Sequence, residues 1–410
     1  MLFSIILPTY NREKFIPIAI ESVLNQSYKH WELIIIDNAS SDNTKEVVRR
    51  YSDTRIKYRK FDEFLPIHQN WERGLEFITG EYFIILGDDD YFLKDLLLIQ
   101  AEELEKHNKP CFSVTNSASY TQFDPVGNIK NLLFCYEYDY KTHLINPIDV
   151  SLSYQTYNVY SHSFNASQLH PSVFFIKKTI MQEIKSKYGS FYNAFFPDWI
   201  AHVLLGLYAK YAIFINQPLV IIGGFDNKYY CYSNSKDSFF AIKLLTSDEK
   251  NKILMLPSEL DGLKSFFNSY GSYPYFSGKI ITQLLLNYAL ILNRDEHAFY
   301  KLVSESVKLN ELVLDRLYKD LLVNYSFCRQ VGDEKIQFFD KKLTDKGFDR
   351  LEFKASLRNN LNKFFFFKGP FFLLKPYIVF INSLKTKVKW AYIRSGQLKE
   401  CERVIKKITR

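Results

Sequence analysis

The sequence has few of the residues that build disulfide, zinc or phosphate-loop sites. Its five cysteines are spread over 410 residues without a CxxC pair, which favours a reducing compartment and argues against a zinc site. The first strand-to-helix turn, PTYNREKF, contains neither GxGxxG nor GxxxxGK[ST], so it indicates no dinucleotide site and no P-loop. No charge-free apolar run reaches the ~18 residues of a membrane-spanning helix. The N-terminus lacks the basic region of a signal peptide, so we expect a cytoplasmic protein.

Positive charge is concentrated at the C-terminal end. Residues 354–410 contain 14 Lys and Arg and only two acidic residues, which gives a net charge of +12. The whole chain has a net charge of +8, so residues 1–353 have a net charge of 8 − 12 = −4. The same segment contains the apolar runs FFFF, FFLL and YIVFI between its lysines. This mixture is typical of a segment that lies on an anionic membrane surface. The alternative is a small helical bundle whose lysines point to solvent, and nucleic acid is not expected as a partner.

Hydrophobic periodicity predicts an α/β fold. Apolar runs at residues 3–7, 31–36, 56–59 and 82–86 alternate with amphipathic helical segments, which predicts a mainly parallel sheet with right-handed crossovers. Residues 120–133 are predicted to form a hairpin and residues 151–167 a loop. The pattern becomes helical beyond Asp237. We therefore predict a catalytic domain at 1–236, a helical domain at 237–353 and the basic aromatic tail at 354–410.

The segment EYFIILGDDDYF carries the strongest functional signal. A buried strand predicted at 82–86 ends at Gly87, and Asp88, Asp89 and Asp90 follow at once. Carboxylate oxygens suit a hard cation such as Mg²⁺ or Mn²⁺, and the carboxyl ends of parallel strands form the ligand-binding edge of such sheets. The alternative is a solvated acidic turn.

Two other aspartates stand at positions suited to chemistry. Asp37 ends the second strand at the same edge, where it is suited either to contact a nucleoside or to cap the following turn. Asp198 in FFPDWIAH lies among aromatic residues at a helix start, where an apolar wall would raise its pKa toward that of a general base. Pro followed by Asp is also ordinary helix-start chemistry.

Together, ILPTYN, LIIIDNASSDNT, the helix with Asn70 and Gly74, and LGDDD resemble the family 2 inverting nucleotide-sugar glycosyltransferases of GT-A fold, over about residues 2–230. Gly87 stands where many members have the first aspartate of their motif. The resemblance implies a metal-binding pair, Asp89 and Asp90, and a general base, Asp198. His170 and Trp199 are weaker acceptor-side candidates. The resemblance further implies these nucleotide contacts: Pro8, Thr9, Asn11, Asp37, Asn70, Arg73 and Asp88.

The function implied is transfer of a sugar from a nucleoside diphosphate donor, UDP above all, to a glycan or lipid-linked acceptor in bacterial surface polysaccharide synthesis. Mn²⁺ or Mg²⁺ is the expected cofactor, and the inner face of the cell membrane is the expected location. Two alternatives stay open. One is a sugar-nucleotide nucleotidyltransferase, which would need a glycine- and lysine-bearing loop after the first strand; the segment PTYNREKF does not supply one. The other is a non-catalytic scaffold that binds a nucleotide sugar.

Overall fold

The computed structural model describes residues 1–123, 130–135, 139–155, 170–193, 196–223 and 278–305. Of these, 1–223, with its gaps, and 286–302 belong to one compact unit, and 278–285 and 303–305 to a second. The tail at 354–410 and most of the predicted domain at 237–353 lie outside the described residues, so the three-domain division stays a prediction. No helix within the described ranges is both long and apolar enough to cross a bilayer.

The described strands form one mixed sheet with the order β3-β2-β1-β4-β9-β6-β10-β5, in which β7 pairs with β6 and β8 pairs with β10. The strands are β1 (Phe3–Thr9), β2 (Trp31–Asn38), β3 (Ile56–Phe61), β4 (Tyr82–Ile85), β5 (Tyr91–Phe92), β6 (Phe112–Phe123), β7 (Lys130–Cys135), β8 (Thr142–Ile145), β9 (Phe174–Lys177) and β10 (Ala212–Ile222).

Helices alternate with many of these strands along the chain, and one helix follows the last described strand. They are α1 (Ile16–Leu24), α2 (Thr44–Val48), α3 (Ile67–Gly74), α4 (Leu96–Lys106), α5 (Pro147–Gln155), α6 (Lys178–Tyr188), α7 (Pro197–Tyr208) and α8 (Gly278–Arg294), with short 3-10 turns at Leu75–Phe77 and Pro171–Val173. The α/β fold predicted from the hydrophobic pattern is confirmed, as is the hairpin, in which β6 and β7 pair antiparallel.

The first four strands run parallel and end at one edge. Strand β2 is buried along its whole length, as expected for a strand with helices on both faces. Thr9 pairs in register with Asp37, while Ile6 pairs with Ile85 near the end of β4. The residues after these strand ends therefore meet at one side of the sheet, which is called the carboxyl edge below.

Strand β9 reverses the direction of the sheet at its centre. It lies between β4 and β6 and pairs antiparallel with both. The amino end of β9, with the turn Pro171–Val173 before it, thereby reaches the edge at which β4 ends. Residues from a distant part of the sequence are thus placed beside the aspartate cluster.

The loop predicted at 151–167 is wrong over its first five residues, because α5 extends to Gln155; residues 156–169 lie outside the described part of the chain. The helix escaped sequence reading because serines replace apolar residues on its buried face. Ser151 is buried and its Oγ donates to the Val203 carbonyl of α7 at 2.6 Å. Small residues here let α5 and α7 pack closely.

Gly206 is the matching small residue on α7. A Cβ at this position would lie 2.1 Å from Ser151 Oγ and 2.5 Å from the Pro147 carbonyl oxygen. Because backbone cannot yield as a side chain does, we expect Gly206→Ala to lower the free energy of unfolding by about 1–3 kcal/mol. Urea denaturation measures this change. Gly189→Ala tests the opposite case, a left-handed glycine (φ 83°) with open space around it, where backbone strain alone should act. A neutral Gly206→Ala would contradict the close packing.

Candidate active site

The turn after β1 is fastened to the turn after β2 by Asn11. Asn11 adopts a positive φ of 54°, and its Oδ1 accepts from the backbone N–H groups of Ser41 at 2.8 Å and Asp42 at 3.3 Å. Its own backbone N–H donates to Ser40 Oγ. Asn11, a predicted nucleotide contact, therefore holds the turns after β1 and β2 together at the carboxyl edge.

Asp37 is fully buried where β2 ends. Its Oδ1 accepts from the backbone N–H of Ser40 at 2.8 Å, and its Oδ2 accepts from the hydroxyl of Tyr58 on β3. The turn-capping role that we kept open as an alternative is thus present. Tyr58 also places a hydroxyl beside the predicted nucleoside contact, which no local sequence pattern indicated.

Asn38 and Arg73 form a second polar group at this edge. Asn38 Oδ1 accepts from Arg73 Nη2 and from the backbone N–H of Leu65, both at 2.9 Å, and its Nδ2 donates to the Leu65 carbonyl at 2.8 Å. The Arg73 guanidinium also lies 3.7 Å from the centre of the Phe61 ring. Burial lowers the pKa of Arg73. Sequence analysis singled out Arg73 but missed Asn38.

Two atoms on α3 are buried without a partner. Asn70 is 4% exposed, and its Oδ1 accepts no hydrogen bond; Arg73 Nε makes no hydrogen bond either. An unsatisfied buried polar atom costs about 1–3 kcal/mol, so native structures usually explain it by a ligand, an ion or water. The acceptor and the donor lie three residues apart on the helix that follows β3.

Asp88 joins the ends of β1 and β4. Its Oδ2 accepts from Thr9 Oγ1 at 3.1 Å, and its Oδ1 lies 3.3 Å from Arg12 Nε. Pro8, beside Thr9, pairs in register with Ile36 and extends β1 beyond the end expected at Leu7. Burial, opposed by Arg12 and Thr9, raises the pKa of Asp88 to about 6. Arg12 is a site residue that sequence analysis missed.

Asp89 and Asp90 occupy different environments. Asp89 is half-buried, and burial together with the charges of Asp90 and Asp88 raises its pKa well above the usual range. Asp90 is 1% exposed, and both of its oxygens are engaged. Its Oδ1 accepts from the Gly223 N–H at 2.9 Å, and its Oδ2 accepts from Ser172 Oγ, which itself accepts from the Gly87 N–H at 3.1 Å. The structure thus turns Asp90 inward rather than toward solvent, and its role as a metal ligand stays a prediction.

The cluster fits a cation only with help from a ligand. Within the ranges that the structure describes, no group of three or more Asp, Glu, His or Cys side chains is arranged to hold an ion. Asp88 and Asp89 supply hard carboxylate oxygens, and their raised pKa values reflect burial and mutual repulsion, which a dication would relieve. Mg²⁺ typically binds one or two carboxylates together with substrate phosphates, so two carboxylates would meet its needs only where a phosphate supplies further oxygens.

Asp198 lies at the start of α7 in an apolar setting. Phe196 precedes the helix and Pro197 is its first residue. Burial raises the pKa of Asp198 to about 7, although its own N–H and that of Trp199 oppose this rise. A carboxyl group that titrates near neutrality is suited to accept a proton at physiological pH.

Two histidines connect the neighbourhood of Asp198 to the aspartate cluster. His202, one turn beyond Asp198, is buried, stacks on Phe174 with ring centres 3.8 Å apart, and shares a 2.6 Å hydrogen bond with the Tyr154 hydroxyl. Burial and the nearby His170 keep the pKa of His202 well below its usual range. His170 Nδ1 lies 3.5 Å from Asp90 Oδ2. The same nitrogen lies 3.4 Å from the backbone N of Ser172, from which it accepts a hydrogen bond.

Tyr154 completes the wall next to Asp198. Its ring packs edge-on against Trp199, with ring centres 6.0 Å apart. Burial raises the pKa of the Tyr154 hydroxyl, and the negative charge of Asp198 raises it further. Trp199, a weaker candidate from the sequence, therefore contributes apolar surface beside Asp198. Tyr154 was missed because it falls in the segment that we predicted to be a loop.

Glu72 ties helix α3 to the segment that precedes Asp198. Its Oε2 accepts from the backbone N–H groups of Phe191 and Tyr192, both at 2.9 Å, and its Oε1 lies 2.7 Å from Lys185 Nζ. Tyr192 also packs edge-on against Trp71. Glu72 was not singled out from the sequence, because its partners lie more than 100 residues away.

Comparison with known proteins finds a family model and several relatives that match the first part of the chain. The model of "Glycosyl transferase family 2" matches residues 4–165. The chain is 36% identical over 107 residues (26% of this chain and 42% of the relative) to the Escherichia coli UDP-Glc:alpha-D-GlcNAc-diphosphoundecaprenol beta-1,3-glucosyltransferase WfgD. It is 37% identical over 103 residues (25% and 41%) to the Bacillus subtilis putative teichuronic acid biosynthesis glycosyltransferase TuaG. The chain thus spans about two fifths of the length of these curated relatives.

Among solved structures, the chain is similar to Staphylococcus aureus TarS 1–349, with a TM-score of 0.44 and 15% identity, over 75% of this chain and 88% of that one.

Proposed function

We propose that the chain, whose residues 4–165 match the model of glycosyl transferase family 2, transfers a sugar from a nucleoside diphosphate donor, UDP-linked, to a glycan or lipid-linked acceptor with inversion. The name of one relative specifies UDP-Glc and a diphosphoundecaprenol acceptor, and the name of another specifies teichuronic acid synthesis. Donor and acceptor are carried over to this chain as part of the proposal. Bacterial surface polysaccharide synthesis is the matching process.

One observation carries this proposal: a pair of carboxylates and a single carboxylate have different neighbours. Asp88 and Asp89 stand together beside Arg12 at the carboxyl edge, suited to a charged donor. Asp198 stands alone among aromatic residues, with a pKa raised to about 7 by burial. Burial raises the pKa of all three carboxyl groups, and what differs is their neighbours: charged groups surround Asp88 and Asp89, whereas aromatic rings surround Asp198.

The donor half of the site uses the ends of β1, β2 and β4. We assign the nucleoside to the residues around Asp37, Asn38 and Arg73. Asn70 Oδ1 and Arg73 Nε have no hydrogen-bond partner there. Pro8, Thr9 and Asn11 shape the wall on the side of β1. A donor that hydrogen-bonds the two unpaired atoms on α3 removes their desolvation cost.

We assign the metal to Asp88 and Asp89, with Asp90 as the buried support of the turn that carries them. The predicted pair was Asp89 and Asp90; the change rests on the inward hydrogen bonds of Asp90. A bound Mn²⁺ or Mg²⁺ would supply charge neutralisation for the leaving diphosphate. The residues of the chain hold the donor and keep the turn from Gly87 to Asp90 in place.

Asp198 acts as the general base. An acceptor hydroxyl gives its proton to the Asp198 carboxylate as its oxygen attacks the anomeric carbon, and the bond to the diphosphate breaks on the opposite face. A single displacement of this kind needs one base and inverts the configuration. Tyr154 and Trp199 exclude water from one side of the carboxyl group, which keeps its pKa near neutral.

The basic aromatic tail at 354–410 is proposed to hold the protein at an anionic membrane surface, where a lipid-linked acceptor would lie. A chain ending at Leu351 is expected to lose sedimentation with vesicles rich in anionic lipid and to keep donor binding. Unchanged sedimentation of this shortened chain would favour the helical bundle.

The proposed function is tested by turnover of sugar nucleotides with and without Mn²⁺. Release of UDP from UDP-sugars in the presence of the dication supports a transferase. Binding without release under any metal favours the scaffold, and formation of a sugar nucleotide from sugar phosphate and nucleoside triphosphate favours the nucleotidyltransferase.

Asp89→Asn is expected to raise the Mn²⁺ concentration at half-maximal turnover at least about 10- to 100-fold, because one charged ligand is lost. Manganese titration of donor hydrolysis measures it. Glu102→Gln, an exposed acid on α4, removes the same charge away from the edge and should change nothing. Equal metal dependence in Asp89→Asn and the wild type would remove Asp89 from the metal site.

A further inference from the structure

Glu72 joins three elements that lie far apart in the sequence. It stands on α3, and its Oε1 lies 2.7 Å from Nζ of Lys185 on α6. Its Oε2 accepts from two successive backbone N–H groups, those of Phe191 and Tyr192, each at 2.9 Å. Hydrogen bonds to a carboxylate are stronger than those to a neutral acceptor. Glu72 therefore fastens the turn that contains Phe191 and Tyr192 to α3.

The turn that Glu72 holds is also fastened from within. Ser190 Oγ donates to Asn193 Oδ1, and Asn193 Nδ2 donates to the Ser190 carbonyl at 3.1 Å. Phe191 is fully buried, and its ring packs edge-on against Phe83 of β4 with ring centres 6.1 Å apart. Because internal hydrogen bonds keep the shape of the turn, its attachment to α3 determines where the Tyr192 ring lies.

Tyr192 lies near two carboxylates. It is 2% exposed, and its ring packs edge-on against Trp71 of α3 with ring centres 5.4 Å apart. Burial raises the pKa of the Tyr192 hydroxyl well above its usual value, and the negative charges of Glu72 and Asp198 raise it further. Tyr154 of α5 also feels the charge of Asp198, and α3 contacts α7 directly. Tyr192 and Tyr154 are thus the tyrosines near the carboxyl group of Asp198.

Helix α3 also holds residues that we assign to the nucleoside. Asn70 lies two residues before Glu72 and Arg73 lies one residue after it. Glu72 therefore connects the helix assigned to the donor with the turn beside Asp198. A misplacement of about 1 Å between reacting groups can cost about 100-fold in rate, so such a connection bears directly on turnover.

We propose that Glu72 is a positioning residue for the transfer reaction: it holds the turn with Tyr192 against α3 and thereby fixes Asp198 relative to the donor. This inference rests on the proposed function, since it needs Asp198 as the base and α3 as part of the donor site. Glu72 acts through the turn and not on the reacting atoms. Arg73 has its own hydrogen bond to Asn38, so donor binding should depend little on Glu72.

The first test measures release of UDP from UDP-glucose or UDP-N-acetylglucosamine, whichever the wild type hydrolyses faster, with Mn²⁺. Glu72→Ala is expected to lower kcat about 10- to 100-fold and to change the donor KM less than about threefold. Glu72→Gln keeps an oxygen that accepts from the two N–H groups, so it should recover most of kcat. Glu76→Ala, which removes an exposed acid just after α3, is the matched control and should behave like the wild type.

The second test follows kcat against pH at saturating donor and Mn²⁺. Wild-type turnover should rise through a pH of about 7 as Asp198 loses its proton. In Glu72→Ala, water gains access to Asp198 once the turn is released, so the midpoint should fall by about one pH unit, and Glu72→Gln should restore it. Lower stability alone reduces the folded fraction and leaves the midpoint in place. Should Glu72→Ala not fold, Glu72→Asp, with a carboxylate one CH₂ shorter, should show the same changes to a smaller extent.

The outcomes separate the inference from the function on which it rests. The role of Glu72 is overturned, and the transferase proposal stands, if Glu72→Ala keeps the wild-type kcat or loses kcat without a shift of the midpoint. A Glu72→Gln variant as slow as Glu72→Ala, or a donor KM raised as much as kcat is lowered, overturns it as well. A wild type that releases UDP from neither sugar nucleotide, or a fully active Asp198→Asn variant, overturns the inference together with its premise. A lower kcat and a lower midpoint, both recovered by Glu72→Gln, support the positioning role.

Discussion

Asp198→Asn is expected to abolish most turnover and at the same time to stabilise the folded protein above pH 7. Loss of a general base typically costs about 10²- to 10⁴-fold in kcat. The stability gain follows from the raised pKa. Burial favours the protonated form of Asp198 up to a pH of about 7, whereas the unfolded chain releases that proton near 3.8. Between these values the folded state holds more protons, so its stability falls as pH rises.

The magnitudes favour stabilisation. Each pKa unit corresponds to about 1.4 kcal/mol, so the full rise amounts to roughly 4 kcal/mol at pH 8. Contact of this half-buried side chain with water reduces that value to about half. Removing a negative charge from a helix start costs only about 0.3–1 kcal/mol. Asparagine mimics the neutral acid and avoids the larger cost.

The measurements are kcat and thermal unfolding of the wild type and Asp198→Asn at pH 5 and pH 8. Wild-type turnover should rise with pH through about 7 as a single group loses its proton. Asp95→Asn is the matched control: Asp95 precedes α4 without a side-chain capping hydrogen bond, so this variant should gain no stability. An active Asp198→Asn variant with a lowered unfolding temperature would make Asp198 a helix-start residue and no base.

Asp90→Ala is expected to destabilise the catalytic domain more than any other single change in the aspartate cluster. The substitution leaves the buried Ser172 Oγ and the partly buried Gly223 N–H without their acceptor. Each orphaned donor costs about 1–3 kcal/mol, for a sum of roughly 2–6 kcal/mol. Relief of repulsion toward Asp88 and Asp89 offsets part of this, by about 1 kcal/mol for each partly exposed pair.

Denaturation in EDTA distinguishes this support role from metal binding. Asp90→Ala and Ser172→Ala should both lower the unfolding midpoint without metal, and their effects should be non-additive in the double variant because they share one hydrogen bond. Asp89→Asn should leave the midpoint unchanged or raise it, since a repelling charge is removed. A stable Asp90→Ala protein with weakened Mn²⁺ binding would return Asp90 to the metal site.

Much of the fold could be predicted because its central strands are continuous apolar runs. Buried parallel strands need such runs, and the polar turns after them mark where they end, as with Ile85 before Gly87. The aspartate cluster and Asp37 were located by the same rule, since parallel strands end at one edge. Strand β1 was predicted to end at Leu7 but reaches Thr9, because Pro8 keeps an extended conformation in register with Ile36.

The partners within the site could not be predicted, because they are distant in the sequence. Arg12 meets Asp88 across 76 positions, and Gly223 meets Asp90 across 133. A run of three aspartates gives no sign of which side chain faces inward; that depends on where Ser172 arrives. Helix α5 escaped prediction for a related reason, since its serines are explained only by Gly206 on another helix.

The reversed direction of β9 determines which residues lie beside the aspartate cluster at the carboxyl edge. A strand of four residues is about 13 Å long. Were β9 to run parallel to β4, its amino end would open on the far side of the sheet, and Ser172 and His170 would stand that distance from Asp90. Because β9 runs antiparallel to β4, it begins at the edge of the sheet where β4 ends. Under the proposed function, the residues assigned to the acceptor and those assigned to the donor would meet at that point.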